Sequence, residues 1–75
     1  MKELILNLAR SLADNAGQVS VALSEHGGAV TARIEAAESD KGKIIGKAGR
    51  VIKAIRSLAA AAGSKAGKRV SVEID

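Results

Sequence analysis

The N-terminal segment has apolar residues at the spacing of a helix. Its polar residues lie mostly on the other side, so the pattern predicts an amphipathic helix over residues 3–14. The apolar stripe consists of Leu4, Ile5, Leu8 and Leu12. Leu6 lies off this stripe, and we expect it to be exposed or to lie in an interface. The helix should end at Asp14-Asn15-Ala16-Gly17, because Asn and Gly adopt left-handed backbone angles at little cost.

Three later segments alternate between apolar and polar residues, which is typical of strands that bury one face. Their apolar positions are Val19, Val21 and Leu23, then Val30, Ala32, Ile34 and Ala36, and finally Val70, Val72 and Ile74. The turn His26-Gly27-Gly28 separates the first two segments and favours a hairpin. We expect His26 to be solvated there, without a catalytic partner.

Two helical segments separated by glycines lie between the second and third strands. Ser39-Asp40 has the residue types of a helix N-cap and precedes a short predicted helix over residues 41–45. A longer helix is predicted over residues 50–62, and the glycine-containing segment 63–67 is predicted to be a loop. The expected apolar stripe of the longer helix is Val51, Ile55, Leu58 and Ala62.

The resulting element order is α-β-β-α-α-β. One layer of three helices on a three-stranded sheet is the natural way to bury these faces. The strands before and after the two central helices should pair side by side, and a connection of that length implies parallel pairing with a right-handed crossover. The sequence therefore predicts an α+β fold with a mixed sheet, formed as a single domain over residues 1–75.

Composition narrows the functional classes. The chain of 75 residues has no cysteine and one histidine, so disulfides and the common zinc sites are excluded, and we expect no metal or other cofactor. No nucleophile–base pair or paired carboxylates can be identified, so we expect a non-catalytic protein. A chain this short has a small core, which makes dimerisation a plausible source of stability.

Hydropathy gives no indication of a membrane protein. The longest apolar run, Leu58 to Ala62, is far shorter than the roughly 18–20 residues that a membrane span requires. Glu3 and Arg10 interrupt the N-terminal apolar residues, which is not the pattern of a secretory signal. We therefore expect a soluble, cytoplasmic protein without membrane insertion.

Charge is distributed unevenly along the chain, whose net charge is +4. The segment from Lys41 to Arg69 contains no acidic residue, whereas all eight acidic residues of the chain lie outside it. Its basic residues are Lys41, Lys43, Lys47, Arg50, Lys53, Arg56, Lys65, Lys68 and Arg69. Such a region indicates a polyanionic partner, with a merely solvated basic surface as the alternative. Because Phe, Tyr and Trp are absent, the modules that stack bases on aromatic rings are excluded.

The segment Gly46-Lys47-Ala48-Gly49 is the strongest candidate site. Two glycines three residues apart allow a tight turn and a close approach to a ligand. The N–H groups and the positive dipole end of the next helix should point towards this turn, which favours phosphate. Four basic residues are expected to surround it, Lys43, Lys47, Arg50 and Lys53, and three apolar residues flank it, Ile44, Ile45 and Ile52.

A nucleotide-binding P-loop does not fit this segment. Three residues separate Gly42 from Gly46 where four are required, and Ala48 replaces the Ser or Thr that would bind magnesium. A glycine pair alone is weak evidence, because many such pairs mark ordinary corners between helices.

The stretch Ile44-Ile45-Gly46-Lys47-Ala48-Gly49-Arg50-Val51-Ile52 resembles the I-I-G-x-x-G-x-x-I signature of KH domains. The predicted element order matches their type II, prokaryotic arrangement. Both ends of the chain, Met-Lys-Glu-Leu and Gly67 to Ile74, are similar to those of the small bacterial single-KH family called KhpA. The resemblance covers essentially the whole chain.

This resemblance implies a specific function. In KH domains the G-x-x-G loop clamps the backbone of about four nucleotides of single-stranded RNA. By position, Gly46, Lys47, Ala48 and Gly49 would form the clamp, and Ile44, Ile45 and Ile52 would be partly core and partly groove. Ile34 and its neighbours are candidates for the far wall of the groove. The family resemblance also implies a homodimer, or a heterodimer with a KhpB-type partner, and RNA-level control of cell elongation and division.

A second hypothesis remains open. The protein could be an assembly or scaffold protein that uses the KH surface mainly as a protein–protein interface. Leu6 and the acidic part of the chain would then matter more than the glycine turn.

Overall fold

The computed structural model describes residues 1–75. In chain order the elements are α1 (Lys2–Leu12), a 3₁₀ turn (Ala16–Gln18), β1 (Ser20–His26), β2 (Ala29–Glu35), α2 (Glu38–Ile45), a 3₁₀ turn (Lys47–Gly49), α3 (Arg50–Lys65) and β3 (Arg69–Ile74). This is the predicted α-β-β-α-α-β order, and the α+β class is confirmed.

The three strands form one mixed sheet in the order β1-β2-β3. β1 pairs with β2 as an antiparallel hairpin in which Val21 lies opposite Ile34. β2 and β3 are parallel, with Val30 opposite Val70, so the predicted parallel pairing across the two central helices is confirmed. β2 is thus the central strand, and β1 and β3 each have a free edge.

The core lies between the helices and one face of the sheet. Along β2, Val30, Ala32 and Ile34 are buried while Arg33 and Glu35 are exposed, so all three helices pack on a single face. Ile34 is completely buried within this core. It therefore cannot form the wall of an open groove, and that expectation was wrong.

α3 has a different buried face from the one expected. Its buried residues are Ile52, Ile55, Ala59 and Gly63, whereas Leu58 is 49 % exposed. The helix also continues beyond the predicted end, because Gly63 packs directly on β3. A Cβ at Gly63 would lie 2.4 Å from Cγ2 of Val70, so only glycine allows α3 and β3 to come this close.

α1 also differs in detail from its prediction. Leu4 is exposed, whereas Leu6 is half-buried and packs against the core. Leu6 is therefore a core neighbour of this helix in the structure.

Asp40 has a structural role that the sequence did not indicate. No side chain caps α2, so the predicted N-cap function of Ser39-Asp40 was wrong. Instead, the completely buried carboxylate of Asp40 accepts hydrogen bonds from the backbone N–H groups of Asp14 (3.1 Å) and Asn15 (2.9 Å). The side-chain amide of Asn15 donates a third bond at 3.3 Å. Asp40 thereby joins the end of α1 to α2.

Candidate functional site

The turn between α2 and α3 has a backbone that requires glycine. Gly46 has φ 77° and ψ 170°, and Gly49 has φ 74°, both in regions that residues with a side chain rarely adopt. At Gly46 an added Cβ would lie 2.4 Å from Cγ2 and 2.9 Å from the backbone N of Val51. Gly46 is therefore fixed both by its conformation and by the close approach of α3.

Ala48 lies at the tip of the turn with φ 56°, the only non-glycine residue with a positive φ. An alanine in the left-handed region carries local strain, and such strain is concentrated at functional sites. Lys47 and Ala48 are both exposed. The tip of the turn thus has an unusual backbone conformation and is open to a ligand.

The N-terminus of α3 faces this turn. Gly49 is its N-cap, and no side chain accepts hydrogen bonds from the N–H groups of the first turn. These groups carry the positive end of the helix dipole, which favours an anion. No acidic residue lies in this first turn; it begins instead with Arg50, which the dipole disfavours by a few tenths of a kcal/mol up to about 1. The arrangement suits the binding of an external phosphate.

Three of the four predicted cations are available to a ligand. Lys47, Arg50 and Lys53 are exposed, and none makes an ion pair or a side-chain hydrogen bond within the protein. Arg50 and Lys53 are three residues apart on α3 and so lie on one face. The structure therefore brings these three positive charges to the turn and to the start of α3.

Lys43, the fourth predicted cation, is paired within the protein. Its ammonium group pairs with the carboxylate of Asp14 and lies 3.9 Å from Oδ1 of the buried Asp40. The hydrogen bond to Asp14 raises the pKa of Lys43, and the charges of both carboxylates act in the same direction. The pKa of Asp40 is lowered, first by the N–H groups of Asn15 and Asp14 and also by Lys43. Lys43 is thus part of an internal charge cluster.

The three flanking isoleucines are divided between core and surface. Ile44 is completely buried and Ile52 is 5 % exposed, so both are core residues. Ile45 is 36 % exposed and is the one whose apolar surface a ligand can reach beside the turn.

An open groove runs along α3 and β3, a position that the sequence did not indicate. It has a volume of ≈ 530 Å³ and is lined by Arg56, Ser57, Ala60, Val70, Ser71, Val72 and Glu73. Lys53, Arg56 and Ala60 follow Gly49 at helical spacing, so one face of α3 leads from the glycine turn into this groove. The helical spacing of these residues is visible in the sequence, but the packing of this face of α3 beside β3 is not.

The free edge of β3 contributes backbone groups to this groove. The N–H groups of Arg69 and Asp75 donate to Gly28 and Ile34 of β2 and its turn, at 2.9 and 3.0 Å. In a parallel strand, the N–H and C=O groups of one residue point to the same side of the strand, and those of the next residue point to the opposite side. Val70 and Val72 therefore direct their N–H and C=O groups towards the free edge, and Arg56 donates its Nε–H to the carbonyl of Val72 at 3.0 Å.

The structure contains no group of three or more His, Cys, Asp or Glu residues placed to bind a metal. None of its helices has the length and apolar character needed to cross a membrane.

Comparison with known proteins gives a consistent result. The KH domain of KhpA/KhpB matches residues 2–74. Similar proteins, each named RNA-binding protein KhpA, occur in Clostridium acetobutylicum (42 % identity; 99 % of this chain and 99 % of the relative covered), Listeria monocytogenes (39 %; 99 % and 97 %) and Bacillus subtilis (36 %; 99 % and 91 %). No solved structure shows a significant match.

Proposed function

The chain belongs to the KhpA/KhpB family of KH domains, and we propose that it is a non-catalytic protein that binds single-stranded RNA. The observation that carries the proposal is the glycine-dependent Gly46–Gly49 turn at the uncapped start of α3, surrounded by three unpaired cations. The RNA-binding function in the names of its relatives supports the same assignment.

The proposed contacts differ in kind. Lys47, Arg50 and Lys53 bind phosphates, together with N–H groups at the start of α3, while Gly46, Ala48 and Gly49 let the RNA backbone approach. Ile45 offers apolar surface to a base. The paired Lys43 contributes less to phosphate binding, and the buried Ile44 and Ile52 support the turn from below. From the turn, the RNA continues along the α3–β3 groove.

A charge-reversal variant tests this clamp. Replacing Lys47→Asp together with Ala48→Asp should abolish binding to a short single-stranded RNA, because the tip of the turn then repels phosphate. Asp tolerates the left-handed conformation of Ala48 better than most residues, so the fold should persist. The matched control is Lys65→Asp with Ala66→Asp, which changes the same residue types at the exposed other end of α3 and should retain most of the affinity.

Salt dependence provides a second, independent test. Three phosphate contacts predict that log K falls with log salt concentration at a slope of about −2, since each neutralised phosphate of a single strand contributes about −0.7. Equal affinity of the wild type and the clamp variant, or a preference for double-stranded RNA, would refute the clamp.

We further propose that the protein acts in the cytoplasm as a homodimer, or together with a KhpB-type KH protein, in post-transcriptional control linked to cell elongation and division. The half-exposed Leu58 on α3 is the most exposed of the large apolar side chains and supports such an interface. Leu58→Glu should therefore shift the sedimentation of the purified protein to that of a monomer, whereas Leu4→Glu on α1 should not.

The alternative function, assembly through a protein–protein interface with little role for RNA, is favoured by the same Leu58. The two functions predict different complexes. Sedimentation with and without an RNA oligomer separates them, because only the RNA-binding function predicts that the oligomer sediments with the protein and is released from the Lys47→Asp, Ala48→Asp variant.

A further inference from the structure

Arg56 lies on the face of α3 that begins at the glycine turn. Lys53 precedes it by three residues and Gly49 by seven, and residues at these spacings share one side of a helix. Seven residues correspond to a rise of about 10 Å along the helix axis. Arg56 is therefore beyond the phosphate contacts proposed for Lys47, Arg50 and Lys53, and it lines the groove between α3 and β3.

The guanidinium of Arg56 is held in place at the edge of the sheet. Its Nε–H donates to the carbonyl of Val72 at 3.0 Å, whereas an arginine on a helix surface ordinarily moves among many rotamers. Its terminal nitrogens, Nη1 and Nη2, make no hydrogen bond or ion pair within the protein. Glu73 lines the same groove but pairs with Arg33 at 3.4 Å. Arg56 thus presents to the groove a guanidinium that is held by one hydrogen bond and whose terminal donors have no partner within the protein.

The other walls of the groove leave room for a base but carry no aromatic ring on which it could stack. Ser57, Ala60 and Ser71 are small, and the protein has no aromatic residue. Hydrogen bonds are therefore the contacts in this groove that distinguish one base from another. Two parallel donors of a guanidinium match two adjacent acceptors, which guanine presents as O6 and N7. Adenine presents N7 beside an amino donor, which opposes one of the two arginine donors.

We infer that Arg56 is a specificity-determining residue that favours guanine over adenine in this groove. The inference rests on the proposed RNA-binding function and adds a base preference to it. Arg56 reads the base with Nη1 and Nη2, while its bond to Val72 fixes the plane of the guanidinium.

The test uses three seven-nucleotide oligouridines whose central residue is guanosine, adenosine or 7-deazaguanosine. For the wild-type protein, guanosine should bind about fivefold more tightly than adenosine, the lower end of the discrimination expected for one bidentate contact. The 7-deazaguanosine oligomer lacks the N7 acceptor and should lose most of this advantage. That comparison changes only the RNA, so it does not depend on the folding of any variant.

Arg56→Gln should remove the preference for guanosine over adenosine, because Gln carries an acceptor beside its donor and suits adenine. Lys53→Gln is the matched control on the same helix face. It should weaken binding to all three oligomers by the same factor and leave the ratio between them unchanged.

The outcomes separate the two proposals. If the wild type binds no oligomer, the proposed RNA-binding function is refuted. If it binds all three within twofold, or if Arg56→Gln weakens all three equally, Arg56 is at most a phosphate contact and the base preference is refuted.

Discussion

Two groups of charges lie at the glycine turn, and only one of them is paired within the protein. On the α2 side, Lys43 is paired with Asp14 and lies near the buried Asp40. On the α3 side, Lys47, Arg50 and Lys53 have no partner. All four cations belong to the stretch from Lys41 to Arg69, which contains no acidic residue. The difference between the two groups therefore arises only in the fold. The first group holds α1 and α2 together; the second is available to an external anion.

The largest expected effect comes from the centre of the paired group. Asp40→Ala would leave the N–H groups of Asp14 and Asn15 without their acceptor, and buried groups of this kind are costly. The midpoint of thermal unfolding should fall on the order of 10 °C. Asp40→Asn, which keeps one acceptor oxygen, should cause a smaller decrease. Equal midpoints for Asp40→Ala and the wild type would show that Asp40 does not join the helices.

Acid should weaken the paired group, because it depends on the carboxylates of Asp14 and Asp40. The unpaired group contains only cations and should not respond. The folded-state pKa of Asp40 is lowered by its N–H donors, so its contribution to stability is complete above the unfolded pKa of about 3.9 and is lost as the pH falls below that value. Lys43 behaves in the opposite sense: its raised pKa gives a contribution that is complete below about 10.4 and is lost above it.

Urea unfolding measured between pH 5 and pH 2 checks this expectation. The free energy of unfolding of the wild type should decrease with a steeper slope than that of Asp40→Asn, which has no carboxylate to protonate. Parallel curves for the two proteins would contradict the lowered pKa of Asp40.

A matched pair of substitutions compares the two groups directly. Lys53→Met should reduce the slope of RNA affinity against salt concentration by about 0.7 and leave thermal stability nearly unchanged, because Lys53 has no partner to lose. Lys43→Met should have the reverse effect, lowering stability while changing the salt slope little. Fluorescence titration at several salt concentrations and thermal unfolding measure the two quantities, and similar profiles for both variants would remove the distinction.

The sequence predicted the fold better than it predicted this division of charges. Strand alternation, the hairpin and the parallel crossover depend on local patterns, and all three are present in the structure. The position of the turn at residues 46–49 is likewise confirmed by its backbone. Lys43 and Lys53 could not be distinguished in the sequence, because the carboxylate that pairs with Lys43 comes from Asp14, which is distant along the chain.

The buried face of α3 was mispredicted for a related reason. Its second half consists largely of alanines and glycine, so two faces have equally good helical spacing: Val51, Ile55, Leu58 and Ala62, or Ile52, Ile55, Ala59 and Gly63. Size decides between them. The side that approaches β3 has room only for Ala59 and Gly63, which leaves the larger Leu58 outside. Hydrophobicity alone does not contain that information.

The smallest expected effect is a gain of affinity. Asp14→Asn would remove the carboxylate that pairs with Lys43. The backbone N–H of residue 14 would still donate its hydrogen bond to Asp40, so α1 and α2 should stay joined. Lys43 would then keep only its longer contact with Asp40, at 3.9 Å, and its ammonium group should reach a phosphate more readily than in the wild type. The salt slope of RNA binding should become steeper by less than the roughly 0.7 of a complete phosphate contact. In the double variant Asp14→Asn, Lys43→Met the added slope should disappear, which assigns it to Lys43 and not to the lost negative charge of Asp14.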